Sequence, residues 1–218
     1  MIMGLLCLTA CGSNANEPAP AADNIVQSET AAEEKNTETD KTEAIEADNG
    51  SETESTAESE NKDTLVVYFS ATGTTKGVAE KIAAVTSADI YELIPAEPYS
   101  AADLDWNDKN SRTTVEMNDP DVRPAIANDD IELDGYSKMY IGYPIWWGDA
   151  PRIMSTFVET HDFDGITVVP FCTSGGSGIG RSGDNLASQS GSGNWLKGDR
   201  LNANVSEDEI RNWIDTLQ

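Results

Sequence analysis

The sequence predicts an α/β domain in which a doubly wound parallel sheet has five strands in the order 2-1-3-4-5. Short apolar runs rich in β-branched residues alternate along the chain with segments whose apolar residues recur at helical spacing. This alternation is typical of parallel strands joined by right-handed helical crossovers, with helices covering both faces of the sheet. In such a sheet a ligand binds at the carboxyl ends of the strands, beside the point where the strand order reverses.

The individual elements are predicted from apolar runs, helical spacing and capping residues. The first strand covers residues 65–69, a continuous Leu-Val-Val-Tyr-Phe run, and residues 75–86 after it have the apolar spacing of a helix. The last helix, residues 206–217, begins with a capping box from Ser206 to Glu209. The other predicted strands are residues 89–94, 138–142, 166–171 and 194–200, and the other helical segments are the polar excursion 101–117, then 151–160 and 183–190.

The composition divides the chain near residue 63. Residues 12–63 contain 15 acidic and 3 basic residues and no aromatic side chain, so they cannot bury enough apolar surface to offset the entropy of ordering. We interpret them as a disordered acidic tether, and residues 64–218, which carry all Trp, Tyr and Phe residues, as one folded domain. The formal net charge of −25 argues against nucleic acid as a partner and favours basic partners.

The N-terminus predicts a membrane anchor. Residues 1–11 are mostly apolar and end in the tetrapeptide LTAC, which resembles the lipobox of bacterial lipoproteins, although no basic residue precedes it. The resemblance implies that Cys11 is lipidated and that the protein is held on the outer side of the cytoplasmic membrane; a chance apolar N-terminus on a cytoplasmic protein is the alternative. If Cys7 leaves with the signal, Cys172 is the only thiol in the domain, so neither a disulfide nor a zinc-ligand spacing is available.

The loop after the first strand has the composition of a phosphate-binding loop. Residues 70–75, Ser-Ala-Thr-Gly-Thr-Thr, lie where a strand ends and a helix begins, so free backbone N–H groups, the helix dipole and hydroxyl donors converge there. Lys76 is followed by Gly77 rather than by Ser or Thr, which excludes a Walker loop, and no Gly-x-Gly-x-x-Gly motif is present for a dinucleotide. A neutral loop of this kind suits a phosphate monoester such as flavin mononucleotide (FMN). An ordinary strand-to-helix loop with capping hydroxyls has the same composition.

Two further loops follow the predicted strands beside the first one. The turn GYPIWWG, residues 142–148, holds Trp146 and Trp147 between Gly and Pro residues, where aromatic rings are available to stack on a flat heterocycle. We expect one of these two Trp side chains to belong to the core instead. The glycine-rich loop TSGGSGIG, residues 173–180, allows backbone groups to approach a ligand edge closely, although a flexible surface loop explains it equally well.

Together, the motifs FSATGTT, GYPIWWG and TSGGSGIG resemble the flavodoxin-like proteins, in particular a short bacterial flavodoxin branch with a YPIWWG turn. The resemblance covers residues 64–218 and implies FMN as the cofactor. It implies that the first loop holds the flavin phosphate, that the turn flanks the isoalloxazine ring, and that the third loop lies along the pyrimidine edge of that ring. In that order, the residues concerned are Ser70, Ala71, Thr72, Gly73, Thr74 and Thr75, then Pro144, Ile145, Trp146, Trp147 and Gly148, then Thr173, Ser174, Gly175, Gly176, Ser177 and Gly178. Ala71 departs from the branch, whose members often have a larger polar residue at this position. The pair Arg123-Pro124 also matches the branch, and its role is either a structural contact or a contact with the flavin.

The sequence offers no residues for catalysis by the protein itself. No Ser-His-Asp, Cys-His or metal-ligand arrangement is visible, so the cofactor must carry the chemistry. His161 is expected to cap a helix, and Cys172 to be a small buried residue, with a redox role beside the flavin as the alternative.

We therefore predict a flavoprotein that transfers electrons between its cofactor and a redox partner protein. The alternatives are an FMN-dependent oxidoreductase that uses NAD(P)H or a small quinone-type acceptor, and an FMN-binding lipoprotein without turnover. Four arginines are able to gather near the pocket and hold a nicotinamide phosphate, namely Arg112, Arg123, Arg152 and Arg181.

Overall fold

The computed structural model describes residues 63–217. In chain order the elements are β1 (Thr64–Tyr68), α1 (Thr74–Thr86), β2 (Asp89–Glu92), α2 (Arg112–Asn118), β3 (Lys138–Pro144), α3 (Arg152–Thr160), β4 (Thr167–Thr173), α4 (Ser182–Ser190), β5 (Asn194–Trp195), β6 (Asp199–Arg200) and α5 (Glu207–Asp215). The predicted signal at residues 1–11 and all but the last residue of the predicted tether at residues 12–63 lie outside the described residues. Within the described part, no helix is long and apolar enough to span a bilayer.

The sheet has the predicted topology. Its strands run parallel in the order β2-β1-β3-β4-β5, and β6 also pairs with β4. The side chains of β1 alternate between two apolar clusters, because Leu65 and Val67 pack on one face of the sheet and Val66 and Tyr68 on the other. A buried core therefore lies on both faces, which confirms the doubly wound fold class.

The fifth strand is split into β5 and β6, whereas the sequence predicted one strand over residues 194–200. The carbonyls of Val168 and Cys172 accept hydrogen bonds from the N–H groups of Leu196 and Leu201, the residues that follow β5 and β6 directly. Pro170 faces the same neighbour by the alternation of the strand, but it has no N–H to donate. The backbone of Gly198 passes so close that an added Cβ would lie 2.2 Å from the carbonyl oxygen of Pro170. The regular ladder is interrupted at this point.

The polar excursion is helical only at its end, so the helix predicted over residues 101–117 is wrong for its first part. Three side chains of this segment accept hydrogen bonds from nearby backbone N–H groups, namely Asp103, Asp105 and Asp108. Such local bonds compete with the helical ones, which explains why residues 101–111 form successive turns. Helix α2 begins only after Ser111, whose hydroxyl accepts from the N–H of Thr114.

Helix α5 begins with the predicted capping box. The Ser206 hydroxyl accepts from the N–H of Glu209 at 3.3 Å, and the Glu209 carboxylate accepts from the N–H of Ser206 at 2.8 Å. On its inner face, Ile210 is fully buried and Trp213 packs against Tyr140. This helix therefore closes the second of the two apolar clusters.

Candidate functional site

The loop between β1 and α1 leaves a row of backbone N–H groups without a hydrogen-bond acceptor. Gly73 precedes α1 with a φ of 84°, a left-handed conformation that glycine adopts without strain, and no side chain caps the helix. Among the hydrogen bonds within residues 63–217, none uses an N–H of residues 70–75 as its donor. Because free N–H groups at the start of a helix carry the positive end of its dipole, this row is arranged to bind an anion.

The hydroxyl of Ser70 lies in the same loop without a partner. Its Oγ is shielded from solvent and makes no hydrogen bond. Since buried hydroxyls are nearly always hydrogen-bonded, this atom indicates a place for a ligand acceptor. A cavity of about 170 Å³ adjoins Ser70, Ala71 and Tyr99, and the hydroxyls of Thr72 and Thr74 lie at the exposed side of the loop, 3.4 Å apart.

Lys76, the lysine next to this loop, is engaged in an ion pair. Its Nζ lies 3.0 Å from Oε2 of Glu92, which also accepts from the Tyr68 hydroxyl at 2.8 Å. The hydrogen bond to Glu92 raises the pKa of Lys76, and burial together with the same carboxylate raises the pKa of Tyr68. The loop therefore offers amide and hydroxyl donors rather than a free lysine.

Thr173, at the end of β4, joins the other two loops. Its buried hydroxyl lies 2.9 Å from that of Thr75, and its carbonyl accepts from the N–H of Ile145 at 2.9 Å. Strand pairing also places it beside Pro144. The three loops predicted from the sequence thus meet at one edge of the sheet, at the carboxyl ends of β1, β3 and β4.

The turn after β3 presents an aromatic ring at the surface. Trp146 and Asp149 exchange two backbone hydrogen bonds of 3.0 Å, and φ is 49° at Trp147 and 84° at Gly148. Positive φ at both central residues is the mark of a type I′ turn. Gly148 suits this conformation, but a residue with a Cβ loses about 1–2 kcal/mol in it. Trp147 is nevertheless 48% exposed, so the fold maintains a strained backbone to hold a large ring in solvent.

Trp146 packs against the core, as predicted for one of the two Trp residues. Its ring makes edge contacts with Phe69 and Tyr99, at 5.6 and 5.4 Å between centroids. Phe69 and Tyr99 are themselves 5.8 Å apart, so the three rings form one aromatic triad. The triad connects the residue before the first loop, the segment just before the excursion, and the turn after β3.

A buried carboxylate holds Tyr99 in place, which the sequence analysis did not anticipate. Glu116 is 7% exposed and accepts from the Tyr99 hydroxyl and from Arg112 Nε, both at 2.6 Å. The Arg112 guanidinium also lies 4.1 Å from the centre of the Tyr99 ring. Burial and the bond to Glu116 raise the pKa of Tyr99 far above its ordinary value. The one sequence signal for this cluster is the spacing of Arg112 and Glu116, which is that of an ion pair along a helix.

The glycine-rich loop after β4 is exposed and open. The Ser174 hydroxyl donates to the carbonyl of Ser177 and accepts from the N–H of Gly176 at 3.3 Å. An added Cβ at Gly175, Gly176 or Gly178 would meet no atom within 4 Å. A ligand edge therefore has room to reach the backbone of this loop.

Comparison with known proteins agrees with this arrangement. A sequence model of the flavodoxin family matches residues 63–217. The chain belongs to the flavodoxin family. It is 51% identical to a protein of Bacteroides eggerthii assigned as a flavoprotein, with a TM-score of 0.68 over 71% of this chain and 97% of that chain. A Bacteroides uniformis protein assigned likewise is 48% identical, with a TM-score of 0.67 over 70% of this chain and 97% of that chain.

A more distant solved structure shares the fold of this flavodoxin-family chain. It is a flavoprotein of Lactobacillus acidophilus in complex with FMN, 22% identical, with a TM-score of 0.53 over 70% of this chain and 99% of that chain. Among curated proteins, none matches the chain.

The four arginines of this flavodoxin-family chain do not gather into a cationic site. Arg123 forms a two-point ion pair with Glu159, at 2.6 and 2.7 Å, so its contact is structural. Arg152 donates to backbone carbonyls at the end of α2, and Arg112 is held in the cluster with Tyr99. Arg181 is exposed ahead of α4 and has no ion-pair partner among residues 63–217.

The histidine and the cysteine of the domain occupy structural positions. His161 ends helix α3, with its Nδ1 3.0 Å from the carbonyl of Phe157. Cys172 is fully buried, and burial raises the pKa of its thiol to about 12. A thiol that stays protonated at neutral pH is a poor nucleophile, which favours a structural role for Cys172 over a redox role. Within the described residues, no group of His, Cys, Asp and Glu side chains is arranged to hold a metal ion.

Proposed function

We propose that this chain binds FMN and transfers electrons between this cofactor and a redox partner protein. The observation that supports the proposal most directly is the unpartnered Ser70 hydroxyl within a row of free backbone N–H groups. Membership of the flavodoxin family and the shared fold with an FMN-bound flavoprotein favour the same cofactor.

The first loop suits the phosphate of FMN. Residues 70–75 supply hydrogen-bond donors and no charged side chain, so a phosphate would be held by amides, hydroxyls and the dipole of α1. Ser70, Thr72 and Thr74 have hydroxyls available for this role. Thr75 would position the loop instead, because its hydroxyl already lies 2.9 Å from that of Thr173.

The turn and the third loop suit the flavin ring. The exposed ring of Trp147 is available for stacking on one face of the isoalloxazine system. Gly148 and the open backbone of residues 174–178 would flank its polar edge. Trp146 would act through the aromatic triad by holding the turn, rather than by touching the flavin.

When bound, FMN supplies the electron storage, and the residues of the chain hold and orient it. Among the groups beneath the three loops, burial raises the pKa of Tyr143 and that of Cys172, so neither titrates near neutral pH. Neither of these two groups is therefore suited to exchange a proton with the cofactor. Its net charge of −25 favours a basic redox partner through attraction at long range.

We also propose that Cys11 carries a lipid and that residues 12–63 tether the domain on the outer side of the cytoplasmic membrane. The LTAC tetrapeptide and the acidic composition of the tether support this localisation. Labelling cells with a clickable fatty acid is expected to mark the wild-type protein, whereas Cys11→Ser is expected to be unlabelled and to leave the membrane fraction. Equal labelling of both proteins would contradict the proposal.

The function is tested on the full-length protein by an anaerobic reductive titration. The purified protein is supplied with FMN, desalted and titrated with dithionite while its absorbance is recorded. Retained yellow colour and electron uptake in two separate one-electron steps support electron transfer. Uptake of both electrons in one step, together with reduction by NAD(P)H, would instead support an oxidoreductase, and colourless protein after desalting would contradict FMN binding.

A further inference from the structure

A cavity of about 370 Å³ separates the excursion from the turn after β3. It is lined by Leu104, Trp106, Thr113, Ile145, Trp146 and Trp147. The residues of the excursion that line it had no role in the predicted flavin site. Leu104, Trp106 and Thr113 of the excursion therefore form a part of the cavity wall that the three predicted loops do not provide.

The lining is uncharged and mostly aromatic. The Thr113 hydroxyl is already used, because it donates to the carbonyl of Asp103 at 2.6 Å. Two of the Trp side chains are unusually open to solvent, with Trp106 74% and Trp147 48% exposed. Exposed aromatic residues that cluster around one cavity mark a binding site more often than scattered ones do, and a cavity of this size fits a small organic molecule.

The same lining offers hydrogen-bond donors for such a molecule. Of the Trp residues, only Trp195 donates its indole N–H within residues 63–217, to the carbonyl of Ser192. The indole N–H groups of Trp106, Trp146 and Trp147 are therefore available to a ligand. An indole N–H only donates, so it selects a ligand with acceptor oxygens.

The lining of the cavity offers no positive charge to an anion. No lining residue is cationic, and Arg112, which lies on the same helix as Thr113, is engaged with Glu116. A phosphate or carboxylate in the cavity would therefore find no cationic side chain in the lining to pair with. A nicotinamide dinucleotide would bring such phosphates, whereas a neutral ring would not.

We propose that this cavity binds a small, flat, uncharged ring compound with carbonyl oxygens, of the quinone class. The ligand is expected to be flat because it stacks on Trp side chains. It is expected to carry carbonyl oxygens because the indole N–H groups donate, and to be uncharged because the lining holds no cation. The proposal rests on the proposed function for its place beside the cofactor, since Trp147 belongs to both the cavity and the flavin site. A ring compound of this class would lie next to the flavin.

The test is calorimetric titration of the full-length protein with menadione, a neutral naphthoquinone, with and without bound FMN. Binding is expected in both states. Trp106→Ala is expected to weaken it by about tenfold, and Trp106→Phe to retain most of it, because the phenyl ring still stacks. Val115→Ala, an exposed apolar residue of α2 outside the cavity, is the matched control and is expected to change nothing. A sulfonated naphthoquinone is expected to bind much more weakly than menadione.

Three results would overturn the proposal. Loss of menadione binding when FMN is loaded would mean that the cavity belongs to the flavin ring. Unchanged affinity in Trp106→Ala, with the fold verified by circular dichroism, would remove the cavity from the binding site. Equal affinity for the sulfonate would remove the charge argument. The affinity for FMN is measured on the same samples, so failure of the proposed function appears separately, as protein that binds menadione but not FMN.

Discussion

The two ends of the candidate site, the phosphate loop and the aromatic turn, are built in different ways. The phosphate loop is contiguous, because residues 70–75 supply the donors and the glycine that exposes them. The turn depends on distant residues, since Trp146 is held by Phe69 and Tyr99, and Tyr99 is held by Glu116. Substitutions at Tyr99 or Glu116 should therefore weaken the contact of the turn with a flavin ring and leave the contact of residues 70–75 with the phosphate unchanged.

The largest expected effect comes from breaking the phosphate loop. Thr72→Glu places a carboxylate among the free N–H groups, where it repels a phosphate and occupies its donors. Affinity for FMN is expected to fall on the order of a hundredfold or more, while affinity for riboflavin, which has no phosphate, is expected to stay. Flavin fluorescence titration measures both. Ala84→Glu, on an exposed part of α1, adds the same charge elsewhere and should leave both affinities unchanged.

A smaller loss is expected from breaking the ring end. Trp147→Asp removes the stacking ring, and Asp tolerates the left-handed backbone at this position, so the fold should stay intact. The affinities for FMN and for riboflavin are expected to fall together by roughly tenfold to a hundredfold. Trp147→Phe should restore most of the binding. Yellow colour retained by both Thr72→Glu and Trp147→Asp would refute the assignment of the site.

The left-handed backbone of the turn is sensitive to an added side chain at Gly148. Gly148→Ala forces a Cβ into a φ of 84° and is expected to lower the free energy of unfolding by about 1–2 kcal/mol, measured by urea denaturation. Gly77→Ala is the matched control, because Gly77 lies within α1 with no atom near an added Cβ. That substitution should raise the stability by about 0.5–1 kcal/mol. Changes of the same sign in both variants would contradict the strain assigned to the turn.

The smallest effect is expected from the distant support of the turn. Tyr99→Phe keeps the aromatic triad but removes one of the two donors to Glu116, so the free energy of unfolding should fall by about 1 kcal/mol. Riboflavin and FMN affinities should fall equally, by a few fold at most, as the turn loosens. Tyr136→Phe, which removes a less buried hydroxyl bonded to Asp89 at 3.0 Å, is the control. A Tyr99→Phe defect confined to FMN would show that this residue acts on the phosphate end instead.

The sequence was a good guide to the fold, because strand order follows from a repeated local pattern. The apolar run of β1 and the capping box of Ser206 and Glu209 are signals that a few consecutive residues carry. The excursion was mispredicted where Asp side chains accept hydrogen bonds from backbone N–H groups two or three residues away. The fifth strand was mispredicted where Gly198 passes close to Pro170 of the neighbouring strand. An effect that one strand has on its neighbour leaves no signal in the neighbour's own sequence.

The candidate site divides in the same way. The phosphate loop could be predicted, since its donors are consecutive in the chain. The sequence predicted that one of the two Trp side chains would belong to the core, but not which one. That choice depends on the rings of Phe69 and Tyr99, which pack against Trp146. Trp106 was missed altogether, since its position beside the turn depends on how a polar segment folds back.

The interruption at Pro170 has a consequence beyond the regularity of the sheet. The split strand lies at one edge of the sheet. Unpaired backbone groups at a sheet edge can pair with a strand of another molecule. Here that edge consists of Asn194–Trp195 and Asp199–Arg200, two residues each, separated by three residues that belong to neither strand. Intermolecular strand addition needs a longer template, so the shortness of these two strands protects this flank of the protein from aggregation.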